Sequence, residues 1–111
     1  MTGQDFVSLV EIRTTFGTRA DADACAARLV GQRLAACVQV DGPVQSTYWW
    51  QAAVERAEEF RCTCKTTPER AKACIEALTR DHGYQTPEVI RADVSASAAY
   101  AAWVRASVAA G

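Results

Sequence analysis

The sequence lacks most of the features that announce a chemistry. Charge of one sign is missing: 12 Lys and Arg stand against 13 Asp and Glu, so no net field draws in nucleic acid or an anionic membrane. No apolar run approaches the roughly 18 residues of a membrane span. Met1-Thr2-Gly3-Gln4-Asp5 has neither the basic nor the apolar region of a signal peptide. The expectation is a cytoplasmic protein without nucleic-acid or membrane partners. The patterns G-x-S-x-G, G-x-x-x-x-G-K and G-x-G-x-x-G are all absent. Histidine occurs once, so a Ser-His or Cys-His dyad would have to recruit His82. The 5 cysteines are an odd number, without the even framework of a secreted disulfide scaffold, and thiols are expected. Cys25, Cys37 and Cys74 lie among Ala, Leu, Val and Ile, where a thiol acts as a small core hydrophobe.

What is present is a regular alternation of periods. The 111 residues suffice for one domain, 1–111, around one core. Phe6 to Ile12 is a dense run of β-formers with apolar residues on both faces, a central strand. Thr18-Arg19-Ala20-Asp21 has the form of a capping box, and Ala22, Cys25, Ala26 and Leu29 follow on one helical stripe until Gly31. Leu34 to Val40 returns as a strand, bends at Asp41-Gly42-Pro43 and continues from Val44 to Trp50. After a polar hairpin connection, Phe60, Cys62 and Cys64 alternate with Arg61, Thr63 and Lys65 at period two, an antiparallel third strand.

Thr67-Pro68-Glu69 combines an N-cap, a proline at the first helical position and an acid suited to the helix dipole. Ala71, Cys74, Ile75 and Leu78 carry the second stripe, which Asp81-His82-Gly83 closes with a glycine expected in left-handed geometry. Pro87 to Val94 reads as strand four, with Ile90, Ala92 and Val94 inward and Arg91 and Asp93 outward. A final helix after Ser95 or Ser97 presents Tyr100, Trp103, Val104, Ser107 and Val108 on one face.

This order is α+β: the ferredoxin-like βαββαβ plan with an added C-terminal helix and a long β2–β3 hairpin. Both crossover helices then cover one sheet face, and the last helix covers only part of the other. Tyr48-Trp49-Trp50 places at least one large aromatic outward on a long strand edge, a hazard that copies of the same chain would remove. An oligomer is expected.

Four stretches carry a resemblance to a family. Arg33-Leu34-Ala35-Ala36-Cys37-Val38, Ser46-Thr47-Tyr48-Trp49-Trp50, Cys64-Lys65-Thr66-Thr67 and His82-Gly83-Tyr84-Gln85-Thr86-Pro87-Glu88, with the closing Tyr100-Ala101-Ala102-Trp103, resemble the CutA divalent-cation-tolerance proteins in order and spacing. The resemblance implies a homotrimer, similar in architecture to the PII signalling proteins, with clefts between subunits for a small molecule or a metal. It also implies copper or another divalent metal as ligand, on positions matching Thr14, Asp81 and His82. At those positions the family's cysteine and one of its histidines are absent, and Gly83 replaces a proline.

A second kind of site joins a corner read from the residues to the cleft that the resemblance implies. Lys65 ends strand three beside Thr66 and Thr67, and a lysine, a carboxylate, a phenol and an indole would orient a small organic molecule. That ligand cleft is expected from Trp50, Lys65, Tyr84, Gln85 and Glu88. Lys65, Glu88 and His82 are the candidate groups for acid–base chemistry, should the cleft be catalytic. Cys62 and Cys64 share one strand face in phase with Phe60, and a buried face accounts for them better than a metal. The leading expectation is metal tolerance or small-ligand binding without catalysis. The alternatives are a cleft enzyme and a PII-like signalling or scaffold trimer.

Overall fold

A computed structural model describes residues 5–109. The chain runs β1 (Phe6–Phe16), α1 (Arg19–Gly31), β2 (Cys37–Trp50), β3 (Ala53–Thr66), α2 (Pro68–Arg80), β4 (Ile90–Ser97) and α3 (Ala98–Val108). The strands form one antiparallel sheet in the order β2-β3-β1-β4, which is the ferredoxin-like arrangement. Local chemistry sets the helix starts. Thr18 Oγ1 accepts from the Asp21 amide at 3.1 Å, Thr67 Oγ1 from Arg70 at 3.2 Å and Ser97 Oγ from Tyr100 at 3.3 Å.

One face of the central strands supplies the main core. Val10, Ile12, Cys62 and Cys64 project there against Cys25 and Leu29 of α1 and Cys74 and Leu78 of α2. The Cys62 and Cys64 thiols are pushed well above the usual range by hydrogen bonding to Cys25 and Cys74 and by burial, so they remain neutral packing groups. On the opposite face α3 sets Ala101 and Val104 against Leu9, with Val94 and Ala96 alongside. Among the described residues no helix covers the rest of that face.

Several expectations are corrected. β1 continues to Phe16, and β2 begins only at Cys37. Arg33 adopts φ 58° and the Leu34 and Ala35 amides both fold back onto the Leu29 carbonyl, so Leu34–Ala36 lies outside the strand. Cys37 is only partly buried and stands opposite Lys65, away from the main core. β4 is displaced toward the C-terminus, and its facing follows the expected alternation at Ala92 and Val94, which are partly buried, and at Arg91 and Asp93, which are exposed, but not at Ile90. Asp93 and Arg91 pair with Val10 and Ile12 on the two-helix face, while Val94 pairs with Leu9 beneath α3 and Ile90 is 46% exposed. α3 buries Ala101, Val104 and Val108 and leaves Tyr100 and Trp103 outside. Gly83 is not in left-handed geometry. The glycine that needs a positive φ is Gly42, at 146°.

Gly42 sits in the register shift between Asp41 and Val44. A Cβ there would lie 2.9 Å from both the Glu59 carbonyl oxygen and the Phe60 ring, so no other residue fits without displacing the neighbouring strand. Past this point β1 has ended, and residues 44–50 pair only with 53–59. The result is a two-stranded arm closed by Gln51 and Ala52, both at positive φ, as a tight hairpin turn requires. The arm gives the molecule extents of 56 × 30 × 21 Å and a radius of gyration of 15.4 Å, against about 13 Å for a compact domain of this size. Trp49 is 73% and Val54 56% exposed near its tip.

Candidate functional site

The segment between α2 and β4 docks on the end of β1 through its histidine. The His82 ring stacks on Phe16 with centroids 4.3 Å apart. Its Nε2 lies 2.8 Å from the Thr15 carbonyl oxygen, and its Nδ1 accepts from the Tyr84 amide at 3.1 Å. A carbonyl can only accept, so Nε2 carries the proton and Nδ1 the lone pair. Tyr84 then donates its hydroxyl to Glu59 Oε2 at 3.0 Å. Burial of that hydroxyl, followed by its bond to the neighbouring carboxylate, raises the Tyr84 pKa to about 12. Gly17 completes the contact, because a Cβ at that position would press on the Tyr84 hydroxyl at 3.2 Å.

Beyond Tyr84 the segment turns outward. Gln85 and Glu88 are exposed, and Glu88 adds to the field around Arg61. Arg61 itself grips Asp41 with a 2.6 Å bond to Oδ2, which holds the Asp41 carboxyl below its ordinary value.

Lys65 occupies a different place. It points to the face that α3 partly covers, directly across from Glu11 on β1 and Cys37 on β2. Four residues of β3 separate it from Arg61, roughly 13 Å at about 3.3 Å per residue. Trp50 is farther still: it pairs with Ala53 at the arm tip, roughly 40 Å along β3 from Lys65 at the same rise. Within one chain, therefore, Tyr84, Gln85 and Glu88 share a turn, while Lys65 and Trp50 stand apart from it and from each other. The acid–base candidates Lys65, Glu88 and His82 do not converge in one chain.

The positions expected to hold copper do not fit it. Thr14 is fully buried in the main core and offers a hydroxyl where a soft ion wants thiolate. Both His82 nitrogens are engaged, and the Asp81 carboxylate is turned to Arg28 at 3.3 Å and Arg80 at 3.9 Å. Among the described residues no group of three or more His, Cys, Asp or Glu is placed to hold a metal ion.

Some participants were not visible in the sequence. Glu59 lies in what reads as a polar connection, yet it is buried to 8% exposure, with its carboxylate on the Tyr84 hydroxyl. Glu11 and Arg13, joined at 2.8 Å, gain meaning only once strand register sets Glu11 beside Lys65. Period two marks them as one face of a strand, but names no neighbour.

Residues 10–107 match the family model of the CutA1 divalent ion tolerance protein. The chain belongs to the CutA1 family. A divalent-cation tolerance protein CutA from Escherichia coli is 32% identical over 100 residues, 89% of each chain. The solved structure of CutA from Synechococcus elongatus superposes with a TM-score of 0.90 at 34% identity, covering 97% of both chains. A second structure of CutA from that organism, complexed with a Bis-Tris molecule, gives 0.85 at 33% identity over 95% of this chain and 99% of the other. The CutA of Archaeoglobus fulgidus, described as periplasmic, gives 0.86 at 28% identity over 90% and 98%. The CutA fold is thus shared across nearly the whole chain. No helix among the described residues is long and apolar enough to cross a membrane.

Proposed function

We propose that this chain acts as a homotrimer that binds a small molecule in the clefts between its subunits, as a non-enzymatic member of the cation-tolerance family. The arm is the observation that carries the reading. A two-stranded hairpin alone in water is marginal at best, yet this one extends past its own sheet with Trp49 and Val54 bare. Strand pairing and burial on sister subunits would supply what it lacks.

The same geometry bears on the site. Trp50, Lys65, Tyr84, Gln85 and Glu88 are too far apart to serve one ligand within a chain, and an arm reaching across a subunit boundary would bring an indole to a neighbour's turn. Small-molecule binding gains support from the Synechococcus elongatus CutA complexed with Bis-Tris. Copper is not carried into the proposal, because the donors at the expected positions are committed elsewhere. Free thiols suit the reducing cytoplasm, which is where we place the protein.

Sedimentation equilibrium at micromolar concentration tests the assembly. Three copies of the 12.0 kDa chain are expected to sediment together at about 36 kDa. A folded species at the mass of one chain would end the proposal. Calorimetry with Bis-Tris and pooled small metabolites tests the ligand half, where heat from none of them would remove it.

A further inference from the structure

The main core concentrates sulfur between its two layers. Cys25 on α1, Cys62 and Cys64 on β3 and Cys74 on α2 are all fully buried in it. They meet across the layers in two pairs, Cys25 with Cys62 and Cys64 with Cys74, each joined by a thiol hydrogen bond. Small neighbours permit this approach. Ala22 lies one turn before Cys25 and Ala71 one turn before Cys74, both fully buried, so each helix rests close on β3. The Cys62 sulfur even reaches the Ala22 carbonyl oxygen of the α1 backbone, at 3.5 Å.

Register decides which of these sulfurs can join. Cys62 and Cys64 sit two residues apart on one strand face, roughly 6.6 Å at about 3.3 Å per residue, whereas a disulfide needs its Cβ atoms within about 4.5 Å. Bonding along the strand is therefore excluded. The cross-strand neighbours carry no sulfur: Thr14 and Val40 stand opposite Cys62, and Ile12 and Val38 opposite Cys64. Each strand thiol is left with one helix thiol as its partner. The members of a pair also differ in chemistry. Cys25 and Cys74 are lowered in pKa by accepting the hydrogen bonds of Cys62 and Cys64, whose own thiols are held protonated. The helix sulfur is thus the nucleophile and the strand sulfur the resolving thiol. Thr14 Oγ1, buried without a hydrogen-bond partner, borders the first pair and offers an acceptor to an S–OH group formed there.

We infer that Cys25–Cys62 and Cys64–Cys74 are two redox sites of the core, each converted by a peroxide into an intrachain disulfide that staples a helix to β3. The helix sulfur attacks the O–O bond, its proton leaves with the displaced hydroxide as water, and a sulfenic acid remains. The strand thiol then attacks that sulfur, the S–S bond forms and the sulfenic oxygen departs as the second water, so each pair supplies two electrons and two protons to one peroxide. Peroxide is little larger than water and enters when a helix lifts locally from the sheet. All four sulfurs lie inside one chain, so the inference goes beyond the small-ligand reading and does not depend on it.

Hydrogen peroxide applied to the full chain, followed by alkylation in denaturant and peptide mapping, tests this. Two linked peptides are expected, Cys25 with Cys62 and Cys64 with Cys74, with Cys37 left outside any link. Circular dichroism should be unchanged, the urea midpoint raised, and dithiothreitol should reverse the rise. Cys25→Ala should delete the first link and keep the second, and Cys74→Ala should do the converse, so one folded variant is enough to read the pairing. The inference is overturned by sulfinic or sulfonic acid in place of the links, by a Cys62–Cys64 link, or by links from these four residues to another chain. A lower midpoint or lost dichroism on oxidation overturns it as well. So do four thiols still free after peroxide treatment in urea just below the midpoint, where the helices open most often.

Discussion

Single side chains here show how burial alters what a polar atom does. Thr14 Oγ1 is enclosed in the main core without a hydrogen-bond partner, and an unsatisfied buried hydroxyl costs free energy that an apolar group of the same shape does not. Thr14→Val should stabilise the fold by about 1 kcal/mol, read as a higher urea midpoint with an unchanged slope. Tyr84 makes the opposite case, because its hydroxyl has found Glu59. Its pKa rises from the ordinary 10.0 to about 12 in the folded chain, so the folded state holds a proton that the unfolded state gives up. The associated stability is fully present below pH 10, and it is lost as the pH climbs through the folded value. Denaturation between pH 9 and 12 should show Tyr84→Phe less stable than the parent on the neutral side and flatter across that window. Neither role was legible in the sequence. Thr14 is one more residue of a β-rich run, and nothing local pairs Tyr84 with a carboxylate 25 positions away. The turn that carries Tyr84, Gln85 and Glu88 was visible in order, but the His82 clasp that anchors it needed the end of β1 in three dimensions.

At the scale of elements, the sequence was most readable where a single residue performs a local task. Thr18, Thr67-Pro68 and Ser97 start their helices as their side-chain chemistry requires, since a cap needs only neighbours within a turn. Strand limits were less readable, because they are set by partners. β1 continues to Phe16 because β3 offers Phe60 to pair with it, and β4 begins only at Ile90, opposite Arg13, because beyond that point the Thr15 carbonyl of β1 is taken by His82. Its Val–Asp alternation was readable, but which layer receives Val94 was not, because that is set by Leu9 and α3. The bend at Asp41-Gly42-Pro43 was visible as a break, and the structure supplies its reason in the strand crowding Gly42. Gly42→Ala would combine a glycine-only φ with two contacts at 2.9 Å, and a loss of about 3 kcal/mol is expected. The check is thermal unfolding beside Gly31→Ala, where a Cβ meets nothing within 4 Å and little change should follow.

For the molecule as a whole, the shape itself argues for company. Trp49 is 73% exposed, so Trp49→Glu removes little that a lone chain possesses, and in a monomer stability would scarcely change. If sister subunits cover that indole, the same substitution buries a carboxylate among apolar groups and opens the contact. Hydrogen exchange is then expected to quicken by at least about tenfold at amides 44–59, with residues 10–12 and 62–64 unaffected. Equal exchange in the two proteins would mean that the tip touches nothing.

The arm also works as a ruler graduated in pairs. Its limbs rise about 3.3 Å per residue and turn over at every step, so the side on which Tyr48, Trp49 and Trp50 emerge is fixed by counting from the bulge at Gly42. Trimming two residues from each limb would draw the tip in by roughly 7 Å and keep its orientation. Trimming one from each would shorten it half as much, yet present every aromatic to the wrong side. Natural length changes in this hairpin are accordingly expected to come in even steps on each limb.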